Sequence, residues 1–535
     1  MEFLLRLIQL ILKLISIVIY PLLKLLLPRK GPSTIPPIRN QLVTLPVVEV
    51  IKLMKLRKLK SEVLVRAYIE RIKEVNPHVN AVVQDRFEGA LEDAVRTDEL
   101  IAKTSDEQLS PLFSRYTLLG IPFTVKESCG LKGMSICVGS RQRAHMISSA
   151  NGGVVNNVVA AGGIPLLVSI TPEYCFSMET ISATQKRCLN PHDSRRTPGG
   201  SSGGEGALNG AGASLFGIGS DIGGSIRYPS LFNGVFGHKP TGGIISVEGH
   251  FPDTKNKNSL SLGPITRFGR DLGVLMQVIA GENAAKLDLL TPVETKDIKL
   301  IPTFPQIFYA LGFDGLNGIL HTSPETEIKL SILTALRYLK SRGCEVERAS
   351  MSDFRNSLEI SFGSMTLSDD FPYLINTSNP NKKKEILTEM GKAIVGKSEY
   401  TRDALYFESI RRFNAAIRTE NILKYKAEAE VLKAKFAKML GNNGVFFFPT
   451  FPVPALYHNS SILFLSNVDY CMIFNILGFP TTHIPMGHDD DGLPVGFQVV
   501  AAPYKDKLCF QIAAELEAGF GGWVVPTPHK LDPLK

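Results

Sequence analysis

TPGGSSGGEGAL, Thr197–Leu208, and GSDIGGSIRYPS, Gly219–Ser230, decide the reading of this chain. They set two serines, Ser201 and Ser225, 24 residues apart in beds of glycine. A flexible linker uses the same residue types, but here the strand-like run Ala213–Ile218 and single charges at definite places interrupt the block. Glycines lack Cβ, so their backbone N–H groups come close to a substrate carbonyl. A serine nucleophile needs such donors for the oxyanion it creates, and it needs a base for its own proton. The base candidate stands upstream in GIPFTVKES, where Lys126 ends an apolar run of strand length. A desolvated lysine releases its proton more readily than one in water, which is what a base requires.

Working outward, apolar runs at Ile121–Val125, Gly163–Ile170 and Gly444–Thr450 read as strands, as does the turn-rich section Asp469–Trp523. Helical spacing fills Val48–Val75, Phe87–Ile101 and Leu508–Leu516. This alternation predicts an α/β fold with a central mixed twisted sheet covered by helices on both faces. Residues 48–535 read as one catalytic domain with a helical insertion at about 284–441, and the proline-rich residues 31–47 as a linker.

Residues 1–27, MEFLLRLIQLILKLISIVIYPLLKLLL, are far more apolar than the rest and lack a small-residue cleavage site, so they are expected to remain attached. Their less apolar members, Glu2, Arg6, Gln9, Lys13, Ser16, Tyr20 and Lys24, recur every three or four residues along one helical stripe. Lys13 and Lys24 leave only ten uncharged residues between them, against the roughly 18 to 20 of a spanning helix. Two arrangements stay open: a helix lying in the membrane interface with cations reaching toward headgroups, and a tilted single pass. Pro28–Pro32 would detach this helix from the body.

With 44% apolar and 21% charged residues the chain can bury a large core, and its net charge of +8 is modest. No basic stripe interleaved with aromatics is present, so nucleic acid is not expected as a partner. Seven scattered cysteines without a CxxC pair, and ten histidines without HExxH spacing, point to no metal site, no disulfide framework and no cofactor.

The three segments TVK, GGSSGGE and GSDIGGSIR, in this order, resemble the amidase-signature family, with further likeness in GVFGHKPT, GPITR and GLPVGFQ over about Val48–Trp523. The apolar N-terminal helix and the GGWV near Trp523 are similar to fatty-acid amide hydrolases of the type-2 group. The resemblance implies a serine hydrolase of lipid amides: Ser225 the acylated nucleophile, Ser201 the bridging hydroxyl and Lys126 the base. It further implies an oxyanion hole of Ile222, Gly223, Gly224 and Ser225 backbone N–H groups, and support from Ser202 and from Gly200, whose bond to Ser201 is cis. Asp221 and Arg227 would brace the loop. Cys175, Phe176 and Met178 would line the acyl channel, with plain core packing as the other reading. The implied partners are a lipid amide and a membrane, at the endoplasmic reticulum or a lipid-droplet surface, with a homodimer left open.

Three other readings compete. Gly199–Gly203 also fits G-x-S-x-G, which would make Ser201 the nucleophile of an α/β-hydrolase elbow, but the polar LNPHDSRRTP before it lacks the required strand. An amidase-type subunit of an amidotransferase shares the core, and a membrane-bound relative without activity is the third. Lys186-Arg187-Cys188 and Asn151-Gly152-Gly153 depart from the family's phrases and put substrate preference in doubt.

Overall fold

The computed structural model describes residues 2–27, 35–254, 258–290, 305–366, 374–375, 383–414 and 419–526. Among these, the strands are β1 (Val82–Asp85), β2 (Pro122–Lys126), β3 (Ile164–Ser169), β4 (Ile181–Ser182), β5 (Lys186–Arg187), β6 (Phe216–Asp221), β7 (Phe236–Lys239), β8 (Ser261–Thr266), β9 (Gln306–Tyr309), β10 (Val346–Arg348), β11 (Gly444–Pro449), β12 (Thr481–His488) and β13 (Pro494–Ala501). All but β4 and β5 join one mixed sheet in the order β1-β3-β2-β6-β8-β7-β12-β13-β11-β9-β10. β2, β3, β6, β8, β11 and β13 are buried at every residue. Helices flank the sheet, and strands covered in this way carry near-continuous apolar runs, which makes β2, β3, β6 and β11 visible in the sequence.

The sheet brings the chemistry together. β2 pairs parallel with β6, Thr124 opposite Gly217 and Val125 opposite Ile218, so Lys126 and the Ser220-Asp221 pair leave the sheet at the same edge. Open sheets with parallel strands bind ligands at these carboxyl ends.

The structure adds detail to three expectations. The span Val48–Val75 is two helices, Val47–Lys55 and Ser61–Val79, parted by a turn in which Arg57 takes a left-handed conformation at φ 54°. Residues 35–45 are not a free linker: Ile35 and Val43 are buried, and the Arg71 guanidinium donates to the Pro36 carbonyl. Within 284–441, expected to be a helical insertion, β9 and β10 extend the main sheet beside β11.

The N-terminal helix, Glu2–Leu26, differs most from its expected placement. Its polar stripe faces the protein. Gln9, Ser16 and Tyr20 are buried, the Tyr20 ring meets Phe464 at 4.9 Å, and Arg6 and Lys24 pair with Glu359 (2.7 Å) and Glu325 (2.6 Å). Lys13 donates to the Ile319 carbonyl at 2.6 Å. The opposite face exposes Leu7, Ile11, Leu14, Ile15, Val18, Leu22 and Leu25. The cations therefore serve the body, and the apolar side is the outward one. The expected breaking point, residues 28–32, lies outside the described residues.

Candidate active site

β2 delivers Lys126, fully buried, against Ser201 and Ser220, two serines that border a cavity. Its Nζ lies 2.7 Å from Ser201 Oγ and 2.9 Å from Ser220 Oγ. Among the described residues both of its side-chain hydrogen bonds thus go to hydroxyls rather than to a carboxylate. Ser201 follows a cis peptide bond from Gly200, and its carbonyl accepts from Thr171 Oγ1 at 2.9 Å. A Cβ on Gly200 would stand 2.5 Å from the Ser177 carbonyl, so only glycine fits there. Ser202 anchors backbone rather than hydroxyls: its N–H donates to the Ser225 carbonyl (3.1 Å) and its Oγ to the Ser220 carbonyl (3.2 Å). Residues 189–200, all of them described, form no strand ahead of Ser201, so the nucleophile-elbow reading loses its structural context.

β6 ends at Asp221, and the turn Ile222-Gly223-Gly224 presents Ser225. Asp221 holds this turn, accepting from the Gly224 N–H (2.7 Å) and the Ile226 N–H (3.0 Å) while paired with Arg227 (3.0 Å). Burial pushes the Asp221 carboxyl up. The Arg227 charge and the surrounding donors outweigh that and hold it well below the usual carboxylate range. Arg227 also donates to the Cys471 carbonyl and Gln498 Oε1, and neither member of the pair borders the cavity. The Gly224 N–H, one of the four expected oxyanion donors, is thereby turned toward the Asp221 carboxylate.

The cavity is bordered by Ser201, Ser220, Ile222, Gly223 and Ser225 on its polar side, and by Phe176, Met178, Tyr406, Phe407, Leu465 and Met472 on its apolar side. Cys175 also lines it, so all three residues expected at an acyl channel are wall residues, with Phe176 stacked on Phe407 at 4.3 Å. No hydrogen bond joins Ser201 Oγ to Ser225 Oγ among those of the described residues, although both serines border the same space. The divergent Lys186-Arg187-Cys188 falls on and beside β5, and neither it nor Asn151-Gly152-Gly153 reaches the cavity wall.

Three residues beside Lys126 escape a reading of the sequence. Ser220 and His250 share a 2.9 Å hydrogen bond, Oγ to Nε2, and His250 Nδ1 lies 2.9 Å from the Pro252 carbonyl. Ser220 stands inside the GSDIGGS phrase, so that phrase holds a clue; nothing local marks His250, which a loop between β7 and β8 carries in. Glu205 of GGSSGGE is the third, buried beneath the lysine and accepting from Ser169 Oγ (2.6 Å) and Thr124 Oγ1. Burial raises its carboxyl to about 7 against the pull of those hydroxyls and of Lys126.

Comparison with known proteins agrees with this architecture. The family model described as Amidase matches residues 63–510. Fatty-acid amide hydrolase 2-A of Danio rerio is 35% identical over 521 residues, covering 94% of each chain. A glutamyl-tRNA(Gln) amidotransferase subunit of Exiguobacterium sibiricum is 26% identical, covering 89% of this chain and 97% of its own. A solved structure titled "Crystal structure of amidase" superposes with a TM-score of 0.68 at 24% identity, covering 89% of this chain and all of that one, which speaks for the fold. A family match over most of the chain, joined to a relative of this identity and coverage, places the protein in the amidase-signature family, as a hydrolase acting on carboxylic amides.

Proposed function

We propose that this hydrolase cleaves long-chain fatty-acid amides at a membrane surface through an acyl-enzyme on Ser225. The observation that carries the reading is the Lys126 Nζ–Ser201 Oγ contact of 2.7 Å beside a second serine, at the end of an apolar cavity. Ser225 Oγ attacks the amide carbonyl and its proton passes to Ser201, whose own proton goes to Lys126 in its amine form. The N–H groups of Ile222, Gly223 and Ser225 receive the oxyanion. The same route returns the proton to the leaving nitrogen, so a poor leaving group departs as an amine and water then releases the acid. The Ser201–Ser225 contact closes on substrate binding, as catalytic hydrogen bonds tighten in the substrate complex.

Phe176, Met178, Phe407, Leu465 and Met472 supply a wall suited to an acyl chain, and the likeness to Fatty-acid amide hydrolase 2-A supports the same class. The apolar part of the wall favours an acyl chain over the polar amide donor that an ammonia-transferring role would need. For the membrane, the outward apolar face of Glu2–Leu26 and the exposed Leu387 and Ile394 of helix Lys383–Ile394 support a monotopic contact. Fluorophosphonate labelling followed by mass spectrometry tests the chemistry. The adduct is expected on Ser225, Ser225→Ala abolishes turnover of a fatty-acid primary amide, and Lys126→Ala lowers amide turnover far more than ester turnover. An adduct on Ser201, or an unchanged rate in Ser225→Ala, overturns the reading.

A further inference from the structure

A lysine that serves as base must keep its lone pair free for one partner only, and Lys126 touches two hydroxyls. Both Ser201 Oγ (2.7 Å) and Ser220 Oγ (2.9 Å) are within reach, and a hydroxyl either donates or accepts. Were Ser220 to donate, it would compete with Ser201 for the one lone pair of the amine.

The geometry around His250 decides the direction. The Pro252 carbonyl, 2.9 Å from His250 Nδ1, only accepts, so Nδ1 carries the proton. In the neutral ring Nε2 is then a bare acceptor, and the Ser220 hydroxyl 2.9 Å away donates to it. Ser220 has no second proton. Toward Lys126 it acts only as an acceptor, taking one amine N–H and leaving the lone pair to meet the Ser201 hydroxyl.

Resting on the Ser225–Ser201–Lys126 reading, we infer that Ser220 and His250 form a positioning arm that orients the amine of Lys126 and reserves its lone pair for Ser201. The arm holds its direction while His250 stays neutral. Burial pushes the ring well below its ordinary value, and a proton on Lys126 would push it further, so neutral and mildly acidic solutions leave it unprotonated. Once Lys126 has taken the proton, Ser220 still accepts from the ammonium and no rearrangement is needed. The arm neither gains nor loses a proton over the cycle, so its residues position the base rather than react.

The test is kinetic and uses the full chain. His250→Gln offers a carbonyl oxygen to Ser220 and an N–H to Pro252, and is expected to keep amide kcat within about threefold of wild type. His250→Leu frees the Ser220 hydroxyl, and is expected to lower amide kcat tenfold or more with a much smaller loss on the matching ester, since amide cleavage depends on proton return to nitrogen. The separating measurement is the double variant: Ser220→Ala removes the competing hydroxyl, so Ser220→Ala/His250→Leu should be more active on amides than His250→Leu alone, a sign of coupling that a packing defect would not give. If His250→Leu does not fold, His250→Asn, too short to span both partners, takes its place in both comparisons. Equal losses on amide and ester, or a double variant no better than the single, overturn the arm. Fluorophosphonate labelling of Ser225 and the amide-selective loss in Lys126→Ala report on the underlying reading separately, because they persist in the wild-type His250 background whether or not the arm exists.

Discussion

At the scale of single residues, Glu205 shows how a carboxyl can be kept in a fully buried place with hydroxyls as its hydrogen-bond partners. Ser169 and Thr124 donate to its two oxygens and tie β3 and β2 to the helix Gly203–Gly210, while burial lifts its carboxyl from 4.5 to about 7. An acid whose folded-state pKa is raised contributes stability that is complete below its unfolded value and disappears as pH rises through the folded one. Glu205→Gln keeps the shape without the charge, so the variant should gain on wild type as pH rises from 5 to 8, by on the order of 3 kcal/mol at the upper end. Thermal unfolding of both proteins across that range checks this, and a difference that stays constant with pH would sink it. The sequence exposes the glutamate's position within the signature but not its surroundings, since Thr124 and Ser169 come from strands far from it in the chain. The same holds for Gly224, whose glycine identity is legible while the donation of its N–H to Asp221 is not.

Among elements, the N-terminal helix separates what periodicity can tell from what it cannot. The stripe of Arg6, Gln9, Lys13, Ser16, Tyr20 and Lys24 is readable because side chains three and four apart share a face. Which face the body takes is a tertiary matter, settled by Glu359, Glu325 and the Ile319 carbonyl, and it inverts the expected orientation. A bilayer would then meet Leu14 and Val18, which are 55% and 60% exposed. Leu14→Glu/Val18→Glu should therefore lower cosedimentation with phospholipid vesicles tenfold or more. Stability should change by no more than about 1 kcal/mol, because exposed positions away from packed contacts seldom matter more. Undiminished vesicle binding would remove this helix from the membrane contact. β2, β3 and β11 are legible for a simpler reason: these doubly buried strands are apolar over most of their length, whereas β9 and β10 at the sheet edge are short and part-exposed, and merge in the sequence with the helical segments around them.

Across the whole molecule, the cavity is closed by segments remote from the signature, and the N-terminal helix belongs to that closure. Tyr20 packs on Phe464 and Tyr457, and the segment Ser461–Val468 that carries Phe464 also places Ser461, Ile462, Leu465 and Val468 on the cavity wall. A helix released from the body would be a dispensable anchor. Docked as it is, its removal uncovers an aromatic patch and takes away the support behind one wall. Deleting residues 2–27 is accordingly expected to lower the melting temperature by a few degrees and to raise KM for long-chain amides severalfold. kcat on a soluble short-chain ester should change little, because among the described residues no hydrogen bond links Lys126, Ser201 or Ser225 to the deleted segment. Measured in detergent, where membrane capture no longer matters, a truncated enzyme with wild-type melting temperature and wild-type KM would show that the helix serves attachment alone. A rise in KM that persists there assigns it to the architecture of the acyl site.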